Sequence, residues 1–495
     1  MALGRQDENN YAENFNMAYL AIRGSGAVNA VSNLHEEVSK KLFASLFSRW
    51  PLDEIPVGHV TNGVHMPSWD SEFADKLWTD ACGKGRWKGE LATIEEEIYK
   101  IPASTLWQFR NESRNELVNY IRKRFERQIT VSGQYPQMMG TARNVFHPHI
   151  LTLGFARRFV PYKRPNLLLH DPERLIRILT NEQHQVQLII AGKAPPFDEE
   201  GKSLIHQWNQ FIQQYNLYNH VIFLSDYDML LTEQLVQGVD VWVNTPRHPW
   251  EACGTSGMKV LVNGGINLSE LDGWWPEAYT TSVGWALGDV KEHDNDPALD
   301  AVEANQLYDL LEQQIIPEFY TRNENNIPGK WIERMQNSMA KLTPQFSANR
   351  TVRQYTENYY LPAALAYLKR SADKGSVGNK IATEKYSLRN KWHEIKFGEI
   401  KISNIEKGYS FRAQIFFDKD IQNKTSVEVY ANAINNGKSE RIQMKLAPAT
   451  ENKNESIYYA EVESSRPAND YTIRIIPCYE NINVPLEDNL ILWQR

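Results

Sequence analysis

Between Glu251 and Lys259 the chain reads Glu-Ala-Cys-Gly-Thr-Ser-Gly-Met-Lys, with small residues through most of its interior. Gly254 and Gly257 allow a positive φ or a close approach of the backbone to a ligand. The Gly254-Thr255-Ser256-Gly257 turn is expected to open a helix over 257–263, whose free N–H groups favour an anion, and Lys259 follows just inside it. A lysine so placed can carry a phosphorylated aldehyde as a Schiff base, the usual attachment of pyridoxal phosphate. Taken alone, the nonapeptide reads equally well as a Gly-rich turn before a surface lysine.

A second run, Arg157-Arg158-Phe159-Val160-Pro161-Tyr162-Lys163-Arg164, puts four cations and a tyrosine in eight residues. Guanidinium forks and a lysine point charge suit phosphate, although the start of a solvated basic helix would read the same way. Glu251, ahead of the glycine turn, can accept hydrogen bonds from two vicinal sugar hydroxyls, and the Gly254 N–H can donate to another. Cys253 reads as a small packed residue. The 12 histidines show no metal-ligand spacing, and no metal is expected.

The elements that must position these residues follow from the apolar pattern. Residues 1–145 read as mainly helical, with a long helix over 106–127 and too few strands for a sheet. From 146 to 370, apolar strands at 149–155, 186–192, 221–225 and 239–244 alternate with helices at 164–180, 201–214 and 228–238. That alternation predicts a parallel sheet covered on both faces, a Rossmann-like α/β domain closed by a helix from Tyr355. Its ligands would gather at the carboxyl ends of the strands, where the two runs fall. Residues 371–385 read as a polar linker. Six to seven short strands in 386–495 predict an all-β, sandwich-like domain.

Composition narrows the function classes. At 495 residues the chain exceeds one ordinary domain, and a net charge of -7 argues against a general nucleic-acid binder. Cys82, Cys253 and Cys478 give no disulfide or zinc pattern, which fits a reducing compartment. No apolar run is long enough for a membrane span and the N-terminus has no signal core, so a cytoplasmic protein without membrane partners is expected.

The nonapeptide, the downstream Leu271-Asp272-Gly273-Trp274-Trp275, Thr61-Asn62-Gly63-Val64-His65, the Arg157–Arg164 run and the closing Ile491-Leu492-Trp493-Gln494-Arg495 resemble the α-glucan (glycogen and maltodextrin) phosphorylases, nearest their short bacterial type. The resemblance implies one lobe of a two-lobed, GT-B type fold. It also implies phosphorolysis of α-1,4-glucan to α-D-glucose 1-phosphate, with pyridoxal phosphate on Lys259. Arg158 and Lys163 would hold the substrate phosphate, and Arg157, Tyr227, Gly254 and Thr255 would adjoin the cofactor. Asn62, Tyr162, Glu251 and Gly254 would meet the sugar. Asp228 stands where long-type members carry a basic residue. Nucleotide-sugar glycosyltransferases of the same architecture are the rival, but many carry a second glutamate where this chain has Lys259. The family's first lobe has little counterpart here, so Met1 is expected to be an internal methionine. An inactive fragment, a split enzyme needing a lobe partner, an oligomer or a glucan-binding protein all stay open.

Overall fold

A computed structural model of the chain describes residues 2–89, 91–133, 139–289, 291, 297–434, 437–448 and 455–494. Met1, the expected internal methionine, and Arg495, the end of the closing motif, lie outside the described residues, as do 90 and 134–138 of the expected helical segment. The chain divides into two compact units: Ala30–His35 with His59–Gln354, and Met1–Asn29 with Glu36–Gly58 and Tyr355–Arg495.

The first unit is mixed α/β. Its strands β1 (Leu151–Arg158), β2 (Val186–Lys193), β3 (Val221–Leu224), β4 (Val241–Asn244), β5 (Ile266–Glu270) and β6 (Gly284–Leu287) are all parallel, in the order β3-β2-β1-β4-β5-β6. Alternate residues feed two cores, as the pleat requires. Leu153, Phe155, Leu188, Ile190, Val241 and Val243 enter one; Ala156, Ile189, Ala191, Ile222 and Trp242 enter the other. Each large side chain so buried contributes roughly 1.5–3 kcal/mol.

The helices of this unit include α1 (Ala103–Ser132), α2 (Pro172–Leu179), α3 (Glu199–Gln214), α4 (Met229–Gly238) and the single turn α5 (Ser256–Lys259). Three expectations need correction. The helix expected over 164–180 is confined to α2, because Arg164 sits in the left-handed region at φ 43° and its side chain is spent on tertiary bonds. The helix expected over 257–263 splits into α5 and a 3-10 turn, Leu261–Asn263, stopped by Gly264 at φ 72°. Strands β5 and β6 went unread. Asn267 and Ser269 interrupt the apolar run of β5, yet both are buried: Asn267 Nδ2 donates to the Gly257 carbonyl (2.9 Å) and Ser269 Oγ accepts from Asn244 (3.1 Å).

A buried ionic cluster ties α1 to the sheet. Asp240 accepts from Arg114 (2.8 Å), Arg110 (3.3 Å) and the Thr152 N–H (3.0 Å). Arg110 also donates to the carbonyls of Asn263 (2.7 Å), Val239 (2.7 Å) and Gly238 (2.9 Å), fixing the turn behind α5.

In the second unit, two four-stranded antiparallel sheets are formed by β7 (Lys396–Ile405), β8 (Gly408–Phe416), β9 (Thr425–Ala431), β10 (Glu440–Gln443), β11 (Lys445–Leu446), β12 (Glu455–Glu463), β13 (Tyr471–Pro477) and β14 (Leu492–Trp493). Their orders are β11-β12-β8-β7 and β10-β9-β13-β14. Ahead of them runs α6 (Leu361–Lys391), which breaks at Ala372–Gly375. The segment 371–385, read from its polarity as a linker, is therefore helical apart from that kink. Residues 36–58 join this unit through the buried Arg474, which pairs with Glu54 (2.8 Å) and Glu428 (2.7 Å). Trp50 and Trp493 donate to the carbonyls of Asn489 (2.8 Å) and Arg49 (2.9 Å). Trp493 is half-buried, its ring edge-on to Tyr430 with centroids 5.3 Å apart. No helix among the described residues is long and apolar enough to cross a membrane.

Asp240→Ala would leave Arg110 and Arg114, both essentially inaccessible, without their carboxylate. Urea unfolding should show a loss of about 3–5 kcal/mol. A loss well below that range would mean the carbonyl acceptors alone satisfy these arginines.

Candidate functional site

The parallel strands deliver their chemistry at the carboxyl end of β1. Successive residues of a strand face opposite ways, so Arg157 is buried while its neighbour Arg158 is exposed. The chain then makes a 3-10 turn, Pro161–Lys163, that returns Lys163 to the same place. Arg157 Nη2 and Lys163 Nζ both donate to Glu251 Oε2, each at 2.7 Å. Burial pushes the Glu251 carboxyl up, but Arg157 and Lys163 outweigh it, and the group titrates below the usual carboxylate range. Glu251 is thus an anion held between two cations.

Arg164 completes the basic run in a different role. It donates to the carbonyls of Thr245 (3.0 Å) and Pro246 (3.0 Å) and pairs with Glu270 (2.8 Å), Asp300 (3.0 Å) and Glu303. These bonds lock the loop that carries Lys163 against the loop that carries Trp250. The Tyr162 ring stacks on Trp250, centroids 6.2 Å apart, with Lys163 Nζ 4.9 Å from the Tyr162 centroid.

The Glu251–Lys259 segment is held from several sides. Asp272 accepts from the backbone N–H groups of Glu251 (2.9 Å) and Gly273 (2.8 Å). Its carboxyl is pushed up to about 7, chiefly by burial. Ser32 Oγ donates to the Ala252 carbonyl (2.6 Å). Gly254 turns the chain at φ 79°, a conformation that disfavours side chains, and a Cβ there would lie 3.2 Å from Glu251 Cγ and 3.8 Å from Arg157 Nη2. The Cys253 thiol, pushed up to about 12 mainly by burial, lies within hydrogen-bonding reach of Asn62. It is a packed, protonated thiol. Asn62 itself is fixed by its N–H on the Val31 carbonyl (3.0 Å), while its own carbonyl accepts from Arg350 (3.2 Å).

Lys259 is half-buried, and its Nζ sits 3.7 Å from the centroid of the Trp69 ring. Burial lowers its pKa. Asn263 holds Trp69 in place, donating to the Trp69 carbonyl (2.7 Å) and accepting from the Ser71 N–H (2.9 Å). Tyr227 is half-buried near Arg157, its hydroxyl donating to the Ala156 carbonyl (3.3 Å). Asp228, the departure from the long-type pattern, caps α4 by accepting from the Leu231 N–H (2.8 Å).

Glu251, Arg157, Lys163, Gly254 and Asn62 are thus brought together, with Tyr162 and Tyr227 at their edge. Arg158, the next residue of β1, is exposed, and no contact fixes its side chain among the described residues. Sequence reasoning missed Trp69, Asp272, Ser32 and Arg350. Only the Leu-Asp-Gly-Trp-Trp run carried any signal, for Asp272. The donor set fits a phosphorylated aldehyde. Lys259 offers an amine with a lowered pKa, and Arg157 Nη1 is a buried guanidinium donor without an acceptor. No group of three or more His, Cys, Asp or Glu among the described residues is placed to hold a metal ion.

Comparison with known proteins converges on the same segment. A family model for carbohydrate phosphorylases matches residues 6–278, which include all of these groups except Arg350. The glycogen phosphorylase of Mycobacterium tuberculosis (strain ATCC 25618 / H37Rv) is 36% identical over 400 residues, covering 81% of this chain and 46% of that protein. The glycogen phosphorylase of Aquifex aeolicus is 38% identical over 351 residues, 70% of this chain and 50% of the relative. The maltodextrin phosphorylase of Thermococcus litoralis is 36% identical over 400 residues, 80% of this chain and 46% of its own. The chain spans about half the length of the curated relatives it matches.

The lowered pKa of Lys259 means that its amine loses its proton at a lower pH than an ordinary lysine. Lys76, at the surface, is shifted the other way by its hydrogen bond to Asp80. Acylation followed by peptide mapping over a pH series should give Lys259 the lower midpoint of the two. The reverse order would place the Lys259 amine in water.

Proposed function

This chain belongs to the carbohydrate phosphorylase family, and from that premise we propose that it serves phosphorolysis of an α-1,4-glucan, glycogen or maltodextrin, to α-D-glucose 1-phosphate. Lys259 is the residue that holds pyridoxal phosphate in this reading. The observation that carries it is the pairing of Arg157 and Lys163 on Glu251, at the head of the segment that ends in Lys259, with Arg157 Nη1 left without an acceptor. In finer terms the parallel sheet is a Rossmann-like lobe of a GT-B type enzyme. The strand order β3-β2-β1-β4-β5-β6 supports this, as does the clustering of the site beyond the carboxyl end of β1.

Bound pyridoxal phosphate would supply a second phosphate, whose ionisation near neutral pH suits proton exchange with the substrate phosphate. The chain's own residues do the rest. Arg157 directs its spare Nη1 donor, with Thr255, Gly254 and Tyr227 alongside, to the cofactor. Lys163 and Arg158 bind inorganic phosphate and offset the repulsion between two anions brought close together. Glu251 accepts from sugar hydroxyls while the Gly254 N–H donates to one. Asn62 and Tyr162 line the glucosyl position. Burial of the Lys259 amine, which lies over the Trp69 ring, favours the neutral, nucleophilic form.

The test is to incubate the chain with pyridoxal phosphate, fix the adduct with borohydride and map the modified peptide. One cofactor is expected on Lys259, with loading lost in Lys259→Ala and unaffected by a nucleotide sugar. Binding of a nucleotide sugar without any specific loading at Lys259 would reverse the assignment in favour of a glycosyltransferase.

A further inference from the structure

The second unit encloses a cavity of about 590 Å³ that the proposed reaction does not use. Arg370, Lys385 and Arg389 of α6 line it, and Arg23 faces it from the N-terminal segment. Glu8 and Glu487 stand on its wall and Asp488 lies against Arg389, so four cations meet three anions there.

The cations are not equally satisfied. Arg370 chelates Glu487 (2.6 and 2.9 Å), although its Nε is buried without an acceptor. Arg389 Nε lies 3.4 Å from Asp488, and its Nη2 donates to Asn489 (3.3 Å). Arg23 gives its donors to the carbonyls of Leu3 (3.0 Å) and Gln6 (2.9 Å), with Glu8 at 3.9 Å. Lys385 has no carboxylate partner among the described residues, and its ammonium meets only the Glu487 backbone carbonyl. Burial, then the neighbouring Arg389, pushes its pKa down by more than Asp488, Glu487 and Glu8 push it up.

Ile22, Leu46 and Phe47 give the same cavity an apolar side. Its volume is that of a small-molecule site, larger than a bare phosphate ion needs. Surplus cationic donors on one wall and apolar side chains on another match a ligand with a charged head and a ring or chain behind it.

We propose that this cavity is a second anion site that binds a small organic phosphate, with Lys385 and Arg389 donating to the phosphate and Phe47 packing beside the organic part. No residue of the phosphorylase reading takes part, so the failure of one leaves the other standing.

The test uses the full chain carrying Arg158→Ala and Lys163→Ala, which removes the other candidate phosphate ligands. Calorimetric titration with ribose phosphate, uridine monophosphate and uncharged ribose follows. At least one of the phosphate esters should bind while ribose does not, and which one binds tells a sugar phosphate from a nucleotide. Lys385→Gln and Arg389→Gln, tested singly with thermal melts to verify folding, should each weaken that binding roughly ten-fold or more. Arg389 is the more exposed of the two and serves if Lys385→Gln fails to fold. No binding of either ester, or an affinity that both substitutions leave unchanged, would overturn the proposal.

Discussion

One oxygen of Glu251 accepts both Arg157 and Lys163, and the arrangement of the basic run around the Gly254 turn depends on that shared contact. All three groups are largely withdrawn from water, so each charge carries a desolvation penalty that only close pairing offsets. Two cations this near one another would repel strongly without the carboxylate between them. The surrounding structure is organised to keep the carboxylate there. Asp272 fixes the Glu251 backbone, Ser32 fixes the next carbonyl, and the left-handed Gly254 bends the chain back toward Arg157. The Arg164 network and the 3-10 turn bring in Lys163 from the other side.

This arrangement gives the proposed chemistry a physical starting point. A phosphate arriving at Lys163 enters a site whose positive charge is already partly neutralised by Glu251. In the proposed reaction, binding would redistribute the lysine between two anions and leave Glu251 free to accept from sugar hydroxyls. The unpaired Nη1 of Arg157 means that one guanidinium can serve Glu251 and a second acceptor together. An arginine suits this position because its fork offers several donors in fixed directions, which a lysine cannot do.

The residue types that do chemistry were legible before the fold was known, because Glu251, Lys259 and the basic run stand out against their neighbours. Their division of labour was not. Arg157 and Arg158 are adjacent in the chain, and only their opposite faces on β1 decide which one meets Glu251. Arg164 closes the same basic run, yet it is consumed by loop carbonyls and three carboxylates. Trp69 reaches Lys259 only through tertiary folding that no local spacing announces. For the fold, strands with continuous apolar runs were readable. By contrast β5 was hidden by Asn267 and Ser269, whose burial is satisfied by partners distant in sequence. At 371–385 polarity misled only in part, because the chain leaves the helix at Ala372–Gly375 and is helical beyond it, exposed polar residues being compatible with a helix.

The central claim is that Glu251 competes with inorganic phosphate for Lys163. Calorimetric titration of inorganic phosphate into Glu251→Gln, compared with the unaltered chain, tests it most directly. Replacing the carboxylate by a neutral amide of the same shape frees both cations, so phosphate should bind roughly ten-fold tighter, on the scale of one charge-assisted hydrogen bond. Unchanged or weaker binding in a folded Glu251→Gln protein would contradict the account.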